Sequence, residues 1–310
     1  FFKNLTGGNI ILNRNKIMSY KYRIKLLNFG RFDNIVNNFD KKSSNVLLFL
    51  LKMKNSNESL EQVVVARVAI VTGAGASIGR AIALKLAQQG ATVVIADRDL
   101  NAAQSVQAEI ASMAGQALAV QADVTDAVAL KHLVDTTIER YGRIDYLVNN
   151  AGTLGPIKPM WETTDAEVDR VFAINVRAIF ALTRLVVSHM MKQGSGSIVS
   201  LASVAGKDGP QELSIYAASK AAVIGVTKSW AKEFIPHGIR VNCVSPALVE
   251  ATGMRNEMPD YISTDSAKKI PMKRLVRVDE VANVVSFLLS DEASFVTGAC
   301  YDISGGRSNY

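Results

Sequence analysis

The chain has 310 residues, 48% of them hydrophobic, and a formal net charge of +7. The positive charge is concentrated at the start, because residues 1–52 hold ten Lys and Arg against Asp33 and Asp40, a net of +8 that leaves about −1 for residues 53–310. A nearly neutral body of this size can bury one large core, and its charge gives no argument for a nucleic-acid or membrane partner.

The sequence contains neither a metal-ligand cluster nor a disulfide framework. Its two cysteines, Cys243 and Cys300, lie in apolar, strand-like stretches and are interpreted as core residues in a reducing, cytoplasmic compartment. The histidines His132, His189 and His237 stand apart from cysteines and carboxylates, so we predict no catalytic metal.

Residues 1–60 are predicted to be an extension outside the main domain. They are rich in Asn and Lys, and the apolar run Val46–Leu51 is too short to span a bilayer. Two interpretations of residues 1–52 stay open. They are either poorly ordered or upstream sequence ahead of a start at Met53, or a mitochondrial transit segment, which their basic, acid-poor composition suggests.

From residue 61 onward, β-branched runs alternate with helical stretches that end in glycine. The predicted strands are Arg67–Thr72, Ala91–Asp97, Ala117–Gln121, Ile144–Val148, Ser197–Leu201, Ile239–Ser245 and Ala299–Ile303. The helices are expected to end near Gly90, Gly115, Gly142, Gly194 and Gly238. A capping box at Thr164–Glu167 predicts the start of a long helix that continues through Lys192. Strands that are apolar on both faces indicate one α/β domain over residues 61–310, a doubly wound Rossmann domain with a seven-stranded parallel sheet between helices.

A glycine-rich turn, Thr72–Gly79, joins the first predicted strand to the first helix. Backbone amides of such a turn and the helix N-terminus can hold a pyrophosphate. The Gly73–Gly79 spacing is one residue longer than G-x-G-x-x-G, but its place between strand and helix favours dinucleotide binding over a plain turn.

Asp97 ends the second predicted strand, where a carboxylate can accept both hydroxyls of an adenosine ribose and repel a 2′-phosphate. The neighbouring Arg98 could instead pair with that phosphate. No Lys or Arg lies inside the glycine turn to help it, so we expect NAD rather than NADP.

Tyr216 and Lys220 are one helical turn apart in Y-A-A-S-K, and Ser203 follows an apolar run thirteen residues before the tyrosine. An ammonium near the phenol should lower the tyrosine pKa from its free value of about 10. A tyrosine of this kind can exchange a proton with an alcohol or ketone while Ser203 holds the reacting oxygen.

These residues together resemble the short-chain dehydrogenase/reductase family over roughly residues 64–310. Thr72–Gly79 resembles its T-G-x-x-x-G-x-G turn, with Ser77 in place of the middle glycine and Gly75 as a compensating residue. Asp123-Val124 matches the pair beside the adenine, and Asn149–Gly152 matches the family's N-N-A-G segment. Asp302–Gly306 resembles its glycine-ended last strand.

The resemblance implies a catalytic tetrad of Asn175, Ser203, Tyr216 and Lys220, in which Asn175 distorts its helix and holds a water that links to the lysine. The cofactor contacts expected from the motifs and the resemblance together are Gly73, Gly75, Ser77, Ile78, Gly79, Asp97, Arg98, Asp123, Val124, Asn150, Ala151, Gly152, Tyr216, Lys220, Pro246, Val249 and Thr252.

Two later features depart from the family pattern. Pro246-Ala247 replaces its Pro-Gly pair, and Thr252 lies one position later than the threonine that meets the nicotinamide carboxamide. The expected substrate walls are Thr153–Gly155, Ala205–Leu213 and Leu248–Lys273, the last long enough to act as a lid. Lys207, Arg255 and Lys273 are interpreted as solvated surface charges rather than as contacts for an acidic substrate.

The activity implied is NAD(P)-dependent interconversion of a secondary alcohol and a ketone, on a small-molecule or acyl-carrier-bound substrate, as in the 3-oxoacyl-carrier-protein reductases. Sugar or sugar-acid dehydrogenases of the same family and a catalytically inactive dinucleotide-binding regulator are the alternatives. The resemblance further implies a homo-tetramer or homo-dimer, paired through the helices that start near Asp165 and Tyr216.

Overall fold

The computed structural model describes residues 66–250, 252–253, 258–259, 264 and 267–308. The extension predicted over residues 1–60 lies outside the described residues, and its nature stays a prediction. Met254, Arg255 and Tyr261 of the predicted lid also lie outside them.

Seven parallel strands form one sheet in the order β3-β2-β1-β4-β5-β6-β7. The strands are β1 (Val68–Thr72), β2 (Thr92–Asp97), β3 (Ala117–Gln121), β4 (Tyr146–Asn149), β5 (Gly196–Leu201), β6 (Ile239–Pro246) and β7 (Cys300–Ile303). Each strand lies within two residues of its predicted bounds, and the predicted doubly wound parallel sheet is confirmed.

Helices follow the strands and cover both faces of the sheet. They are α1 (Ser77–Gln88), α2 (Leu100–Ser112), α3 (Ala127–Tyr141), α4 (Asp165–Phe172), α5 (Ala178–Gln193), α6 (Ala205–Asp208), α7 (Ser214–Phe234) and α8 (Val278–Leu289). A π-helical turn, Ala173–Arg177, joins α4 to α5. Short 3-10 turns occupy Met160–Glu162, Ile235–His237 and Asp291–Ala293.

The apolar core consists of two clusters, one on each side of the sheet. Successive residues of a strand point to opposite faces. In β1, Ala69 and Val71 join the cluster formed with α1, α2 and α8. Val68 and Ile70 join the cluster formed with α3, α5 and α7. All five residues of β1 are therefore buried, which explains why the strand is apolar without alternation.

Four of the predicted helix ends have a left-handed glycine, with φ of 83° at Gly90, 73° at Gly142, 70° at Gly194 and 71° at Gly238. The prediction is wrong in detail for Gly115, because Ala114 adopts the left-handed backbone there, with φ of 59°. Gly115 is needed for another reason: a Cβ at this position would lie 2.7 Å from Ile110 Cγ2.

The helical segment Asp165–Gln193 begins at the predicted capping box, in which Thr164 and Glu167 each bond the other's backbone amide. Among the described residues it is the one segment whose length and hydropathy would suffice to cross a membrane. Its residues Leu182, Val186 and Met190 are fully buried in the core beside the sheet, as in a core helix.

Cys243 and Cys300 are register partners on β6 and β7, and both are free thiols. Cys243 is fully buried, as expected. Cys300 is only partly buried, and its sulfur lies 3.0 Å from Ser245 Oγ.

Candidate active site

A cleft of about 1140 Å³ opens at the carboxyl ends of the strands. The strand order reverses between β1 and β4, and loops from these two strands diverge to opposite faces of the sheet. A crevice at such a switch point is where doubly wound folds bind their ligands. The cleft is lined by the turn after β1 and by the residues that follow β2, β3, β4, β5 and β6.

The glycine turn is fixed by close backbone contacts. Gly73 has a left-handed φ of 60°, which glycine adopts without strain. A Cβ on Gly79 would lie 2.2 Å from Gly73 O, so only glycine fits at this position. Asn150 Nδ2 donates to Thr72 O at 2.8 Å and to Gly73 O at 3.0 Å, which ties the turn to the end of β4.

Ser77 replaces the middle glycine of the family turn and itself adopts a left-handed φ of 51°. The expected compensation by Gly75 is not found, because Gly75 is absent from the described residues with positive φ. Gly75 has a steric role instead: its Cβ would lie 2.8 Å from Ala102 Cβ and 2.9 Å from Asp97 Oδ2. Residue 77 thus has a left-handed backbone, and this conformation is strained because residue 77 is a serine and not a glycine.

Asp97 is held at the end of β2 by two backbone amides. Its Oδ2 accepts a hydrogen bond from Gly75 N at 2.8 Å, and its Oδ1 accepts one from Asp99 N at 3.0 Å. Arg98 is exposed and lines the cleft beside it. The carboxylate thus has a fixed position at the end of the cleft where an adenosine ribose is expected.

Asp123 and Val124 line the same end of the cleft. The Asp123 carboxylate accepts bonds from the hydroxyl of Thr125 at 2.7 Å and from its backbone amide at 2.8 Å. These bonds hold the pKa of Asp123 below its ordinary value, with the hydroxyl as the larger cause.

Asn150, Ala151 and Gly152 form the wall between the glycine turn and α4. Both Asn150 N and Ala151 N donate to Thr72 Oγ1, at 3.0 and 3.1 Å. The preceding Asn149 is buried and donates through Nδ2 to Thr183 Oγ1 and Ser200 Oγ. The segment therefore fixes the switch point between β1 and β4.

Tyr216 lies in the first turn of α7 and lines the cleft together with Ser203, whose side chain interacts with the tyrosine hydroxyl. Ser203 Oγ also accepts a bond from Ala205 N at 3.2 Å. Lys220 is 3% exposed, and its Nζ donates to Leu201 O at 2.7 Å while lying 5.7 Å from the centre of the Tyr216 ring. Tyr216, Ser203 and Lys220 are brought together at the cleft as the sequence predicted.

The expected fall in the tyrosine pKa is not found. Burial raises the pKa of Tyr216 above its ordinary value, and the hydrogen bond from Ser203 opposes this without reversing it. Burial also lowers the pKa of Lys220 to about 8. The physical reason is desolvation of both groups, together with an ammonium that is bonded to Leu201 O rather than to the phenol. Tyr216 is thus a neutral phenol over the physiological range.

Asn175 is fully buried in the π-helical turn, so the helix distortion that the resemblance implied is present. Its Oδ1 accepts from Thr153 N at 2.8 Å, and its Nδ2 donates to Thr153 O at 2.9 Å and Ser219 Oγ at 3.0 Å. Ser219 in turn donates to Tyr216 O at 2.7 Å. Asn175 therefore joins the loop after β4 to the first turn of α7.

Ser219 is a site residue that sequence reasoning missed. It is fully buried and connects Asn175 to the first turn of α7. Its spacing of three residues from Tyr216 could have indicated a side chain that bonds back to the tyrosine carbonyl.

Pro246, Val249 and Thr252 line the cleft beyond β6, as predicted for cofactor contacts. The predicted substrate wall contains an apolar group around Tyr216, formed by Leu154, Ala205 and Leu213 with Ile157 and Met258 packed against it. Met258 and Leu213 both face the cleft.

The interpretation of Lys207 as a solvated charge is wrong. Its side chain is 8% exposed and forms an ion pair of 2.9 Å with Asp302. Lys273, in contrast, is exposed as expected. Within the described residues, no group of three His, Cys, Asp or Glu side chains could hold a metal ion.

The known proteins that this chain resembles are reductases and dehydrogenases. A family model described as "Enoyl-(Acyl carrier protein) reductase" matches residues 73–308. The 3-oxoacyl-[acyl-carrier-protein] reductase FabG of Thermotoga maritima is 40% identical over 240 residues, which cover 77% of this chain and 97% of that protein. The cyclohexanol dehydrogenase of an Acinetobacter species is 39% identical over 243 residues, which cover 78% and 95%.

Among solved structures, the 3-ketoacyl-(acyl-carrier-protein) reductase from Brucella melitensis complexed with NADH has a TM-score of 0.74 at 34% identity. The match covers 78% of this chain and 98% of that one. The chain belongs to the short-chain dehydrogenase/reductase family, and it is an oxidoreductase of that family.

Proposed function

We propose that this chain is an NAD(P)-dependent oxidoreductase that interconverts a secondary alcohol and a ketone. The observation that carries the proposal is the position of Ser203 with the buried Tyr216 and Lys220 in the same cleft as the glycine turn. A proton-transferring phenol beside a dinucleotide cleft is suited to moving a proton and a hydride on one carbinol.

Ser203 and Tyr216 have different roles in the reaction. Ser203 Oγ bonds the substrate oxygen and orients it toward the hydroxyl of Tyr216. Tyr216 gives its proton to that oxygen in reduction, or accepts the alcohol proton in oxidation. When bound, the nicotinamide accepts or supplies the hydride. Positioning of the reacting atoms supplies much of the rate, and the proton transfer contributes about 10²–10⁴-fold.

The raised pKa of Tyr216 favours one direction at neutral pH. A neutral phenol is the form that donates a proton, so ketone reduction starts from the protonation state that dominates there. Alcohol oxidation needs the phenolate and should gain rate as the pH rises. Lys220 stabilises this phenolate only while it carries its own proton.

The residues fit a dinucleotide, because the glycine turn and the amino end of α1 line the cleft beside Asp97. Glycines 73, 75 and 79 keep the turn on this path, since Cβ atoms there would collide with Ala151, with Asp97 and with Gly73 O. The fixed Asp97 carboxylate supports NAD as the preferred cofactor. Asp97→Asn keeps an oxygen acceptor for Gly75 N but removes the charge that repels a 2′-phosphate. We expect the NADP-to-NAD ratio of kcat/KM to rise at least about tenfold, and an unchanged ratio would contradict the role of Asp97.

The apolar group around Tyr216 supports a substrate whose carbinol carbon is flanked by hydrocarbon. Such substrates include carrier-bound 3-oxoacyl chains and small alicyclic ketones, and the group disfavours polyhydroxylated sugars, whose hydroxyls would lack partners there.

A homo-dimer or homo-tetramer is part of the proposal. Phe180 on α5 is 45% exposed and stacks edge-on against Trp230 of α7, at a centroid distance of 4.8 Å. Phe287 of α8 is 36% exposed and contacts Tyr301 of the edge strand β7. These two apolar surfaces support pairing through α4, α5 and α7 and through the last helix and strand. Light scattering on the purified protein measures the mass.

The deciding experiment is a spectrophotometric panel with NAD(H) and NADP(H). It compares acetoacetyl-CoA, cyclohexanone, cyclohexanol and a sugar acid, by absorbance at the wavelength of the reduced nicotinamide. We expect turnover of the thioester or the alicyclic pair and none of the sugar acid. Protein that binds NAD but turns over none of them would indicate a dinucleotide-binding regulator instead.

A further inference from the structure

The last described residues, Asp302–Ser308, cross the substrate side of the cleft; we name them the C-terminal strap. Asp302 lies near the end of β7, paired with Ser245 of β6, and Arg307 lines the cleft. The sequence pattern explained Asp302–Gly306 only as the end of the last strand. These residues and Arg307 also contact α6 and residues 270–272.

Two ion pairs join the strap to α6. Lys207 Nζ lies 2.9 Å from Asp302 Oδ1, and Arg307 Nε lies 2.9 Å from Asp208 Oδ2. Lys207 and Asp208, which are adjacent in α6, thus have opposite charges, and each forms an ion pair with a strap residue of the other sign.

Both cations are shielded from solvent. The side chain of Lys207 is 8% exposed and that of Arg307 is 11% exposed. Burial by itself would lower the pKa of Lys207, but the hydrogen bond to Asp302 carries it above its ordinary value. Because their cations are shielded while the carboxylates are about a quarter exposed, these pairs are screened less by salt than fully exposed surface pairs, which contribute little.

The helix α6 connects the ion pairs to the reacting groups. Ser203 Oγ accepts a bond from Ala205 N, and Gly206 N donates to Ser203 O at 3.0 Å. A Cβ on Gly206 would lie 2.7 Å from the backbone of Lys220 and of Ala221, so α6 packs directly against the catalytic helix. A displacement of α6 therefore moves Ser203 relative to Tyr216 and Lys220.

The other side of the strap contacts residues 270–272, which precede α8. Met272 N donates to Gly305 O at 3.2 Å. Gly305 and Gly306 are left-handed, and Cβ atoms there would lie 2.8 Å from Ile270 Cγ2 and 3.2 Å from Pro271 Cγ. The two glycines let the strap approach residues 270–272 closely.

We propose that the C-terminal strap is a positioning element for the substrate: its ion pairs to Lys207 and Asp208 fix α6, and with it Ser203, while its glycines hold residues 270–272. This inference rests on the proposed function only for its kinetic consequences. The cofactor end of the cleft is built from the turns after β1, β2 and β3, which the strap ion pairs do not touch.

The experiment compares full-length protein with Asp208→Asn, with Arg307→Gln and with the swapped pair Asp208→Arg/Arg307→Asp. Arg277→Gln is the matched control, because Arg277 forms an ion pair with Asp279 that is half-exposed and outside the cleft lining. Three quantities are measured: amide hydrogen exchange over residues 203–208, NAD affinity by calorimetry, and the kinetics of the most active member of the substrate panel.

The single variants should exchange faster at residues 206–208 and lose about 10- to 100-fold in kcat/KM for the substrate, with NAD affinity within about twofold of the parent. The swapped pair should restore much of both losses, and Arg277→Gln should change neither. Unchanged exchange in both single variants would overturn the proposal. A fall in NAD affinity as large as the fall in kcat/KM for the substrate would also overturn it, because that result indicates a general loss of structure. If the parent binds NAD but turns over no substrate, the proposed function fails while hydrogen exchange still decides whether the strap fixes α6.

Discussion

The two ends of the cleft are built in different ways. At the cofactor end, each contact has a backbone group of the glycine turn as one partner: Gly75 N bonds the Asp97 carboxylate, Asn150 Nδ2 bonds carbonyls of the turn, and Gly79 fits against Gly73 O. The substrate end is held by side chains far apart in sequence, such as the Asp208–Arg307 pair and the apolar group around Tyr216. A backbone-built site tolerates little variation, whereas a side-chain-built site can change its substrate while the chemistry stays constant.

The largest effect on activity is expected at Tyr216, which lies where the cofactor end of the cleft meets the substrate end. Tyr216→Phe removes the proton-transferring hydroxyl but keeps the ring that packs against Leu154 and Leu213. We expect a loss in kcat of about 10²–10⁴-fold with NAD affinity almost unchanged. Steady-state kinetics and calorimetry on the same preparation measure both. Near-normal turnover in this variant would remove the proposed mechanism.

The second largest effect is expected at the cofactor end of the cleft, in the glycine turn. Gly79→Ala places a Cβ 2.2 Å from Gly73 O, so the turn must open or shift. We expect NAD affinity to fall more than about tenfold and the free energy of unfolding to fall by roughly 1–3 kcal/mol.

Gly225→Ala in α7 is its control, since no atom lies within 4 Å of its added Cβ. That substitution should be neutral, or stabilising by about 0.5–1 kcal/mol through helix propensity. If Gly79→Ala behaved like Gly225→Ala, the glycine turn would not be the rigid element inferred from its contacts.

A third prediction concerns the buried lysine at the junction. The folded-state pKa of Lys220 is about 8, below its ordinary value of 10.5, so between these pH values the unfolded chain binds more protons at this group than the folded chain. Its contribution to the free energy of unfolding therefore rises as the pH increases from 8 to 10.5.

Lys220→Met lacks this group, so its stability relative to the parent should fall over the same pH window. The change should be on the order of 3 kcal/mol. Urea unfolding of both proteins at several pH values measures it. A difference that is independent of pH would mean that Lys220 keeps its ordinary pKa in the folded protein.

The smallest effect tests the strain at Ser77. Its left-handed backbone is one that glycine adopts freely. Ser77→Gly should raise the free energy of unfolding by up to about 1 kcal/mol, whereas Ser77→Ala keeps the strain and should show no gain. Thermal unfolding of both variants separates the two. Equal stability of glycine and alanine at this position would show that the backbone carries no strain.

The sequence predicted the sheet and the place of the glycine turn between β1 and α1, because both depend on local patterns. Strand bounds follow from runs of apolar residues such as Val68–Val71, and the turn follows from glycine spacing. Ser219 was missed because its importance comes from Asn175, which is distant in sequence and reaches it only through the π-helical turn. Lys207 was misjudged because Asp302 is nearly one hundred residues away.

The amino-acid order by itself determined the alternation of strands and helices, the glycine turn and the one-turn spacing of Tyr216 and Lys220, since each is encoded within a few consecutive residues. The tertiary structure decided the charge states and the substrate wall. Burial, which depends on the whole fold, raises the pKa of Tyr216 and lowers that of Lys220, opposite in the tyrosine's case to what the spacing of the two residues suggests. The strap contacts α6 only because β7 returns the end of the chain to the edge of the sheet beside β6.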